Sequence, residues 1–199
     1  MQMSAITISR QLGSLGDEVA QAVAERLNYR VVSRELINKA AIQCGAPEMA
    51  LALIDDLGLL SIHPSVRARR SFLVTVDKVV KELAEEGGVV IVGRAGQMIL
   101  RGKPGVLHIK VIAPPEVRAE RIASNLGIPI EAARAQVVAS DKSRSNYLKR
   151  YYHARWDNPE LYDLIVNTSR LLPENAADII CRALSQCLLE FDLDAHSQQ

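Results

Sequence analysis

The chain has 199 residues, 48% hydrophobic and 24% charged, with a net charge of +1. That length suits one domain with a small insertion, and a domain of this size buries roughly 70% of its unfolded surface. The near-zero charge excludes a whole-molecule field for nucleic acid, and 4% aromatic residues are too few for a platform of stacked bases.

SAITIS (4–9) reads as a buried parallel strand. A glycine-containing loop follows, and GDEVAQAVAERL (16–27) opens a helix with Val19, Ala20, Val23 and Leu27 on one stripe. YRVV (29–32) is a second short strand. SRELINKAAIQCG (33–45) and PEMALALIDDLG (47–58) read as helices, LSIHPS (60–65) as a loop, and 66–88 as a long amphipathic helix ending at paired glycines. VVIVGR (89–94) is continuous in β-branched residues, and VLHIKVIAP (106–114) is the next strand. Helices are expected over 115–127, with proline at the start and glycine at the stop, and over 129–152. YDLIVNTS (162–169) is the last strand, 173–191 the closing helix, and 192–199 a polar tail. Strands alternating with helices predict an α/β fold, a parallel sheet covered on both faces, with ligands beyond the carboxyl ends of the strands.

Three cysteines, Cys44, Cys181 and Cys187, without a C-x-x-C pair, suggest neither a disulfide framework nor a zinc site. His63, His108, His153 and His196 lack metal-ligand spacing, and no metal-binding residue is assigned. No basic leader precedes an apolar run, and no apolar stretch approaches a membrane span. The expectation is a cytoplasmic protein without membrane or nucleic-acid partners. Residues 66–86 carry an apolar face that could serve a homodimer, with core packing as its simpler use.

The chemistry-bearing residues fall at the predicted strand ends. Gly13, Ser14, Leu15 and Gly16 can cradle an anion on backbone N–H groups at a helix start, although Asp17 and Glu18 compete there with a phosphate. Arg10 precedes that loop, and Arg94 directly follows a strand. Arg118 and Arg121 share one helical face, as do Asp141 and Arg144. Guanidinium forks suit phosphoryl oxygens, but arginines on helix faces are often merely solvated. Trp156 and the pair Tyr147 and Tyr151 read as packing residues.

ITISRQLGSLG, SRELI, VVIVGRAG, VIAPPEVRAERI, SDKSRSNYLKRYY and WDNPELYDLIVNTSRL carry a resemblance. In this order, over about residues 5–180, they resemble the cytidylate kinase-like family, a branch of the P-loop nucleoside monophosphate kinases. The resemblance implies a P-loop kinase-type parallel sheet of about five strands, with helices on both faces, a helical acceptor lobe and an arginine-bearing lid. Its layout is one domain over 1–191, with the acceptor lobe at 33–88 and the lid at 115–155. It also implies ATP and Mg2+, with donor phosphates on Arg10, Gly13, Ser14, Leu15 and Gly16. The acceptor nucleotide would meet Arg34 and Arg94, and Arg118, Arg121, Arg144 and Asp141 would act catalytically. The implied function is ATP-dependent phosphorylation of a nucleoside monophosphate, CMP or dCMP first.

The departures from true cytidylate kinases leave two alternatives. Gly16 and Glu18 stand where the lysine and magnesium hydroxyl of a GSGKGT-like loop belong, although the kinase-like branch commonly lacks that lysine. Arg10 or Arg118 could supply a substitute charge, and Ser14 a hydroxyl. Ser33 and Ala95 replace aspartates. The alternatives are a non-catalytic nucleotide-binding sensor or partner protein, and a kinase for a non-nucleotide small molecule.

Overall fold

The computed structural model describes residues 4–33, 37 and 65–196. In chain order its elements are β1 (Ala5–Arg10), α1 (Gly16–Leu27), β2 (Arg30–Val32), α2 (Val66–Glu86), β3 (Val89–Val92), α3 (Gly96–Ile99), β4 (Val106–Ile112), α4 (Pro115–Leu126), α5 (Ile130–Tyr152), a 3-10 turn (Pro159–Leu161), β5 (Leu164–Asn167) and α6 (Pro173–His196). The five strands form one sheet in the order β2-β3-β1-β4-β5, and every pairing is parallel.

Period-two alternation sorts the strand side chains onto two faces. Ile6, Ile8, Val90, Val92, Leu107, Ile109, Val111 and Val166 pack under α1 and α6, against Val19, Val23 and Ile180. Ala5, Val89 and Ile91 face the other way, under Phe72, Val76 and Val80 of α2 and Leu100 after α3. The apolar side of α2 therefore covers the sheet, as core packing requires. No helix among the described residues is long and apolar enough to cross a membrane.

β1 and β3 are neighbours, yet α1 leaves for one face and α3 for the other. Chains diverging from adjacent strand ends open a crevice at the carboxyl edge of the sheet. Gly96 makes the α3 side of this divergence tight, since a Cβ there would lie 3.0 Å from Thr7 Cγ2.

Several boundaries differ from the sequence expectation. β3 stops at Val92 because Gly93, Arg94 and Ala95 all turn left-handed, with φ of 84°, 49° and 54°. The four-residue α3 is too short to carry a periodic signal. α6 continues to His196, past the expected end at 191. DLDA supplies neither glycine nor proline to stop it. The helices expected at 33–45 and 47–58 and the loop at 60–65 lie, apart from Ser33, Ile37 and Ser65, outside the described residues. Arg34, Cys44 and His63 lie outside them too.

Candidate active site

The loop after β1 is an amide-lined turn. Gln11 N–H bonds Val111 O at 3.1 Å, carrying the β1–β4 ladder one residue past the strand. Ser14 then closes the turn, its N–H and Oγ both donating to Gln11 O, at 3.3 and 2.8 Å. Gly13 has φ 76°, and a Cβ there would lie 2.7 Å from Arg118 O, so no other residue fits. Leu15 is left-handed at φ 58° and caps α1 without any side-chain bond. A non-glycine residue in this region stores strain, which proteins keep where geometry serves a function. The first N–H groups of α1 therefore start at the cleft without a side-chain cap, ready for an anion.

Donors from two other segments, α4 and the turn after β5, take the loop's carbonyls. Arg118 Nη1 reaches Leu12 O at 3.3 Å, Arg121 Nη1 reaches Gly13 O at 3.3 Å, and Thr168 Oγ1 reaches Ser14 O at 2.8 Å. Gln11 Oε1 accepts from Ala113 N–H at 3.1 Å. Peptide dipoles held with their oxygens toward these donors leave the amide ends for a negative ligand.

Arg118 and Arg121 both serve this clamp. Arg118 is only 1% exposed. Its Nε donates to Ala113 O at 2.9 Å, and its fork grips Asp141 of α5 bidentately, at 3.1 and 2.7 Å. Arg121 also bonds Thr168, through Oγ1 at 3.2 Å and the main-chain O at 2.7 Å. The shared helical face thus meets the loop, the last strand end and α5.

Arg10 and Arg144 sit differently. Arg10 Nε bonds the exposed carboxylate of Asp17 at 3.1 Å. Arg144 is half-buried on α5, one turn beyond Ser140, to whose hydroxyl it donates. Both arginines line a cleft of about 230 Å³ over Gly13, Leu15 and Gly16, with Arg121, Asn125 and Gln136 also on its wall. Both line a second cleft of about 90 Å³, bounded by Ser9, Arg94, Gln97, Ser143 and Tyr147. The two clefts meet at these two guanidinium-bearing residues.

Arg94 forms the floor of the smaller cleft. It is buried, its guanidinium 5.6 Å from the Phe72 ring centre and 5.7 Å from that of Tyr147. Such stacking holds a cation in place through the ring quadrupole. Tyr147 in turn meets Tyr151 edge-on at 5.0 Å, the packing expected of residues four apart. Burial pushes the Tyr147 hydroxyl above its ordinary range, with the Arg94 charge opposing.

A buried polar belt supports the floor. Lys110 Nζ donates to Trp156 O at 2.6 Å and stands 4.6 Å from the centre of that ring. Trp156 Nε1 donates to Ser9 Oγ at 2.9 Å, and Gln97 Nε2 to Tyr162 Oη at 3.4 Å. Desolvation lowers the pKa of Lys110, while Asp157 and Asp141 pull it back up. Lys110, Gln97 and Thr168 are not evident as site residues from the sequence. The one available signal was the lone charge in the apolar run VLHIKVI. His108 Nδ1 lies 2.7 Å from Thr7 Oγ1 in the middle of the sheet.

Among the described residues no three His, Cys, Asp or Glu side chains gather into a metal site. Asp17 and Glu18 are exposed carboxylates on the wall of the larger cleft. One or two such groups suit a magnesium ion that arrives on phosphate oxygens. Cys181 and Cys187 stand as thiols on α6.

The model of the cytidylate kinase-like family matches residues 5–170. A curated cytidylate kinase from Pyrococcus horikoshii is 33% identical over 181 residues, covering 90% of this chain and 87% of that one. An uncharacterized protein from Eubacterium ventriosum superposes with a TM-score of 0.73 at 22% identity, covering 92% of this chain and 98% of that one. A shikimate kinase from Bacteroides thetaiotaomicron superposes with a TM-score of 0.54 at 13% identity, covering 92% and 99%. At such identities these two structures speak to the fold, which is that of a P-loop kinase.

Proposed function

Because the chain belongs to the cytidylate kinase-like family, we propose that it is an ATP-dependent phosphotransferase acting on a nucleoside monophosphate, CMP or dCMP first. The observation that carries this reading is the junction of two clefts at Arg10 and Arg144. A donor polyphosphate on the amide-lined loop and an acceptor over Arg94 would meet where two guanidinium groups converge. The curated cytidylate kinase relative supports the substrate class. The domain layout follows the same reading: one domain over 1–191, an acceptor lobe over 33–88 with Arg34 in it, and a lid over 115–155.

In the proposed reaction an acceptor phosphate oxygen forms a bond to the γ-phosphorus of ATP. The bond from that phosphorus to the β,γ-bridging oxygen breaks, and ADP leaves with the electron pair. An ionised phosphate oxygen is already a nucleophile, so no general base is required. Catalysis then rests on positioning and charge. Gly13, Leu15 and Gly16 present amides to the donor phosphates, and Ser14 closes the turn that aims them. Arg94 holds the acceptor phosphate, and Arg144 spans donor and acceptor. Arg118, Arg121 and Asp141 position: they keep the loop carbonyls turned away and tie α5 over the loop. Magnesium, carried on the nucleotide with Glu18 or Asp17 beside it, would neutralise phosphate charge.

ADP release from Mg·ATP over a panel of nucleoside monophosphates, with a no-acceptor control, tests the reading. Stimulation by CMP or dCMP is expected. A specific feature favours a second reading, a nucleotide sensor: the Glu18 carboxylate on the donor cleft, where an anion would meet repulsion. Nucleotide binding with no acceptor-stimulated release would select it. Stimulation by a small alcohol but no monophosphate would select a kinase for a non-nucleotide acceptor.

A further inference from the structure

Arg10 and Gly16 are six residues apart, the interval from the first glycine to the lysine of the G-x-x-x-x-G-K-[ST] loop. In this chain the small residue and the cation stand in exchanged positions. The exchange is also visible in space. A Cβ on Gly16 would lie 2.3 Å from Arg10 Cβ and 2.7 Å from Arg10 Cγ. The stem of Arg10 therefore fills the start of the path that a lysine side chain at 16 would take. Neither residue tolerates the other's enlargement, because two stems cannot share that space.

The other candidate for the missing charge is spent elsewhere. Arg118 makes four hydrogen bonds, to Ala113 O, Leu12 O and both oxygens of Asp141. Arg10 makes one side-chain hydrogen bond among the described residues, from Nε to Asp17. That bond leaves both Nη groups on a residue that lines the loop cleft and the neighbouring cleft alike.

We propose that Arg10 replaces the loop lysine. Its guanidinium grips the donor polyphosphate from the strand side of the loop, and Gly16 stays small to let its stem pass. Asp17 holds the guanidinium in register through Nε while the Nη pair meets phosphate oxygens, the bidentate geometry such forks favour. This deepens the phosphotransferase reading by naming the donor-gripping side chain, and it rests on that reading only for the fate of the phosphates.

The test exchanges the two residues. Inorganic tripolyphosphate binding, followed by calorimetry on the full chain, is compared for wild type, Arg10→Gly, Arg10→Lys, Gly16→Lys and the double variant Arg10→Gly/Gly16→Lys. Glycine is needed at 10 because the Cβ of alanine would still obstruct residue 16. Arg10→Gly should weaken binding about 10- to 100-fold, the range for lost charge-assisted hydrogen bonds. Gly16→Lys alone should bind no better than wild type and melt lower. The double variant should recover binding by about 10-fold or more over Arg10→Gly. Unchanged binding in Arg10→Gly, or a folded double variant no tighter than Arg10→Gly, overturns the proposal. If the double variant does not fold, Arg10→Lys decides: tighter binding than Arg10→Gly supports the proposal, and equal binding overturns it. Wild-type tripolyphosphate binding without acceptor-stimulated ADP release would sink the phosphotransferase reading and leave this proposal standing.

Discussion

The loop after β1 and the corner after β3 end neighbouring strands, and both turn through left-handed residues, Leu15 in one and Arg94 with Ala95 in the other. They are held by different forces. The loop is tied by hydrogen bonds from Arg118, Arg121 and Thr168 to its carbonyls. The corner is held by the rings of Phe72 and Tyr147 against Arg94 and by the neighbouring polar belt. Hydrogen bonds fix direction closely, as a cradle of amides requires. Ring stacking tolerates small displacements of the cation. The difference also divides the arginines. Those at 118 and 121 spend their donors on protein carbonyls, whereas those at 10 and 144 border both clefts.

The sharpest way to break this division is Arg118→Ala. It leaves Asp141 without its bidentate partner and Leu12 and Ala113 carbonyls without donors. Arg118 is buried but Asp141 keeps 29% of its side chain exposed, so the loss should fall below the ~3–5 kcal/mol of a fully buried pair, and urea unfolding should read it. An unchanged unfolding midpoint would mean that the clamp contributes nothing to the loop. Arg144→Ala should do the reverse. Turnover should fall by about 10²- to 10³-fold, as for loss of a preorganised charge, while unfolding free energy stays within about 0.5 kcal/mol of wild type. Equal losses in both measurements would erase the distinction between clamp and cleft residues.

Tyr147→Leu sharpens the acceptor side. It removes one of the two rings beside Arg94, a contact worth about 0.5–2 kcal/mol. The acceptor KM should rise accordingly, with the Mg·ATP KM unchanged. A shift confined to Mg·ATP would assign Arg94 to the donor instead. The smallest effect is in pH. Desolvation holds the His108 imidazole below its ordinary 6.5, partly opposed by Asp163. As pH falls through 6.5, the unfolded chain takes up a proton that the folded chain refuses until its own lower value is reached. Stability should therefore decline across that window and level off below it. Calorimetric melting of His108→Gln should lack this slope, and an identical slope would place the titration elsewhere.

Much of the fold was legible because it rests on local periodicity. β1, β4 and β5 follow from runs of apolar residues, and α1 and α4 from stripes and stop signals that need no partner to be recognised. The parallel sheet follows from alternation of the two. The polar end of the sheet was legible too, since Gly13, Arg94 and Arg121 all follow strands. Less legible was what each arginine does there. Arg118 and Arg144 both sit on helices three residues from another charge, Arg118 from the like-charged Arg121 and Arg144 from Asp141, which invites a pair inside its own helix. Only the packing of α5 against α4 puts Asp141 on Arg118 and leaves Arg144 at the junction of the clefts.

The sequence by itself determined the order of elements, a glycine-bearing turn after β1, and the set of cations available at the sheet's carboxyl edge. Tertiary structure alone decided which cation is buried, which carbonyls it satisfies, and that the stem of Arg10 occupies the space beside Gly16. The reason is range. Periodicity and turn chemistry act over a few residues, so the chain itself displays them. The role of a long flexible guanidinium depends on the few ångströms around its tip, and those are filled by segments distant in the chain.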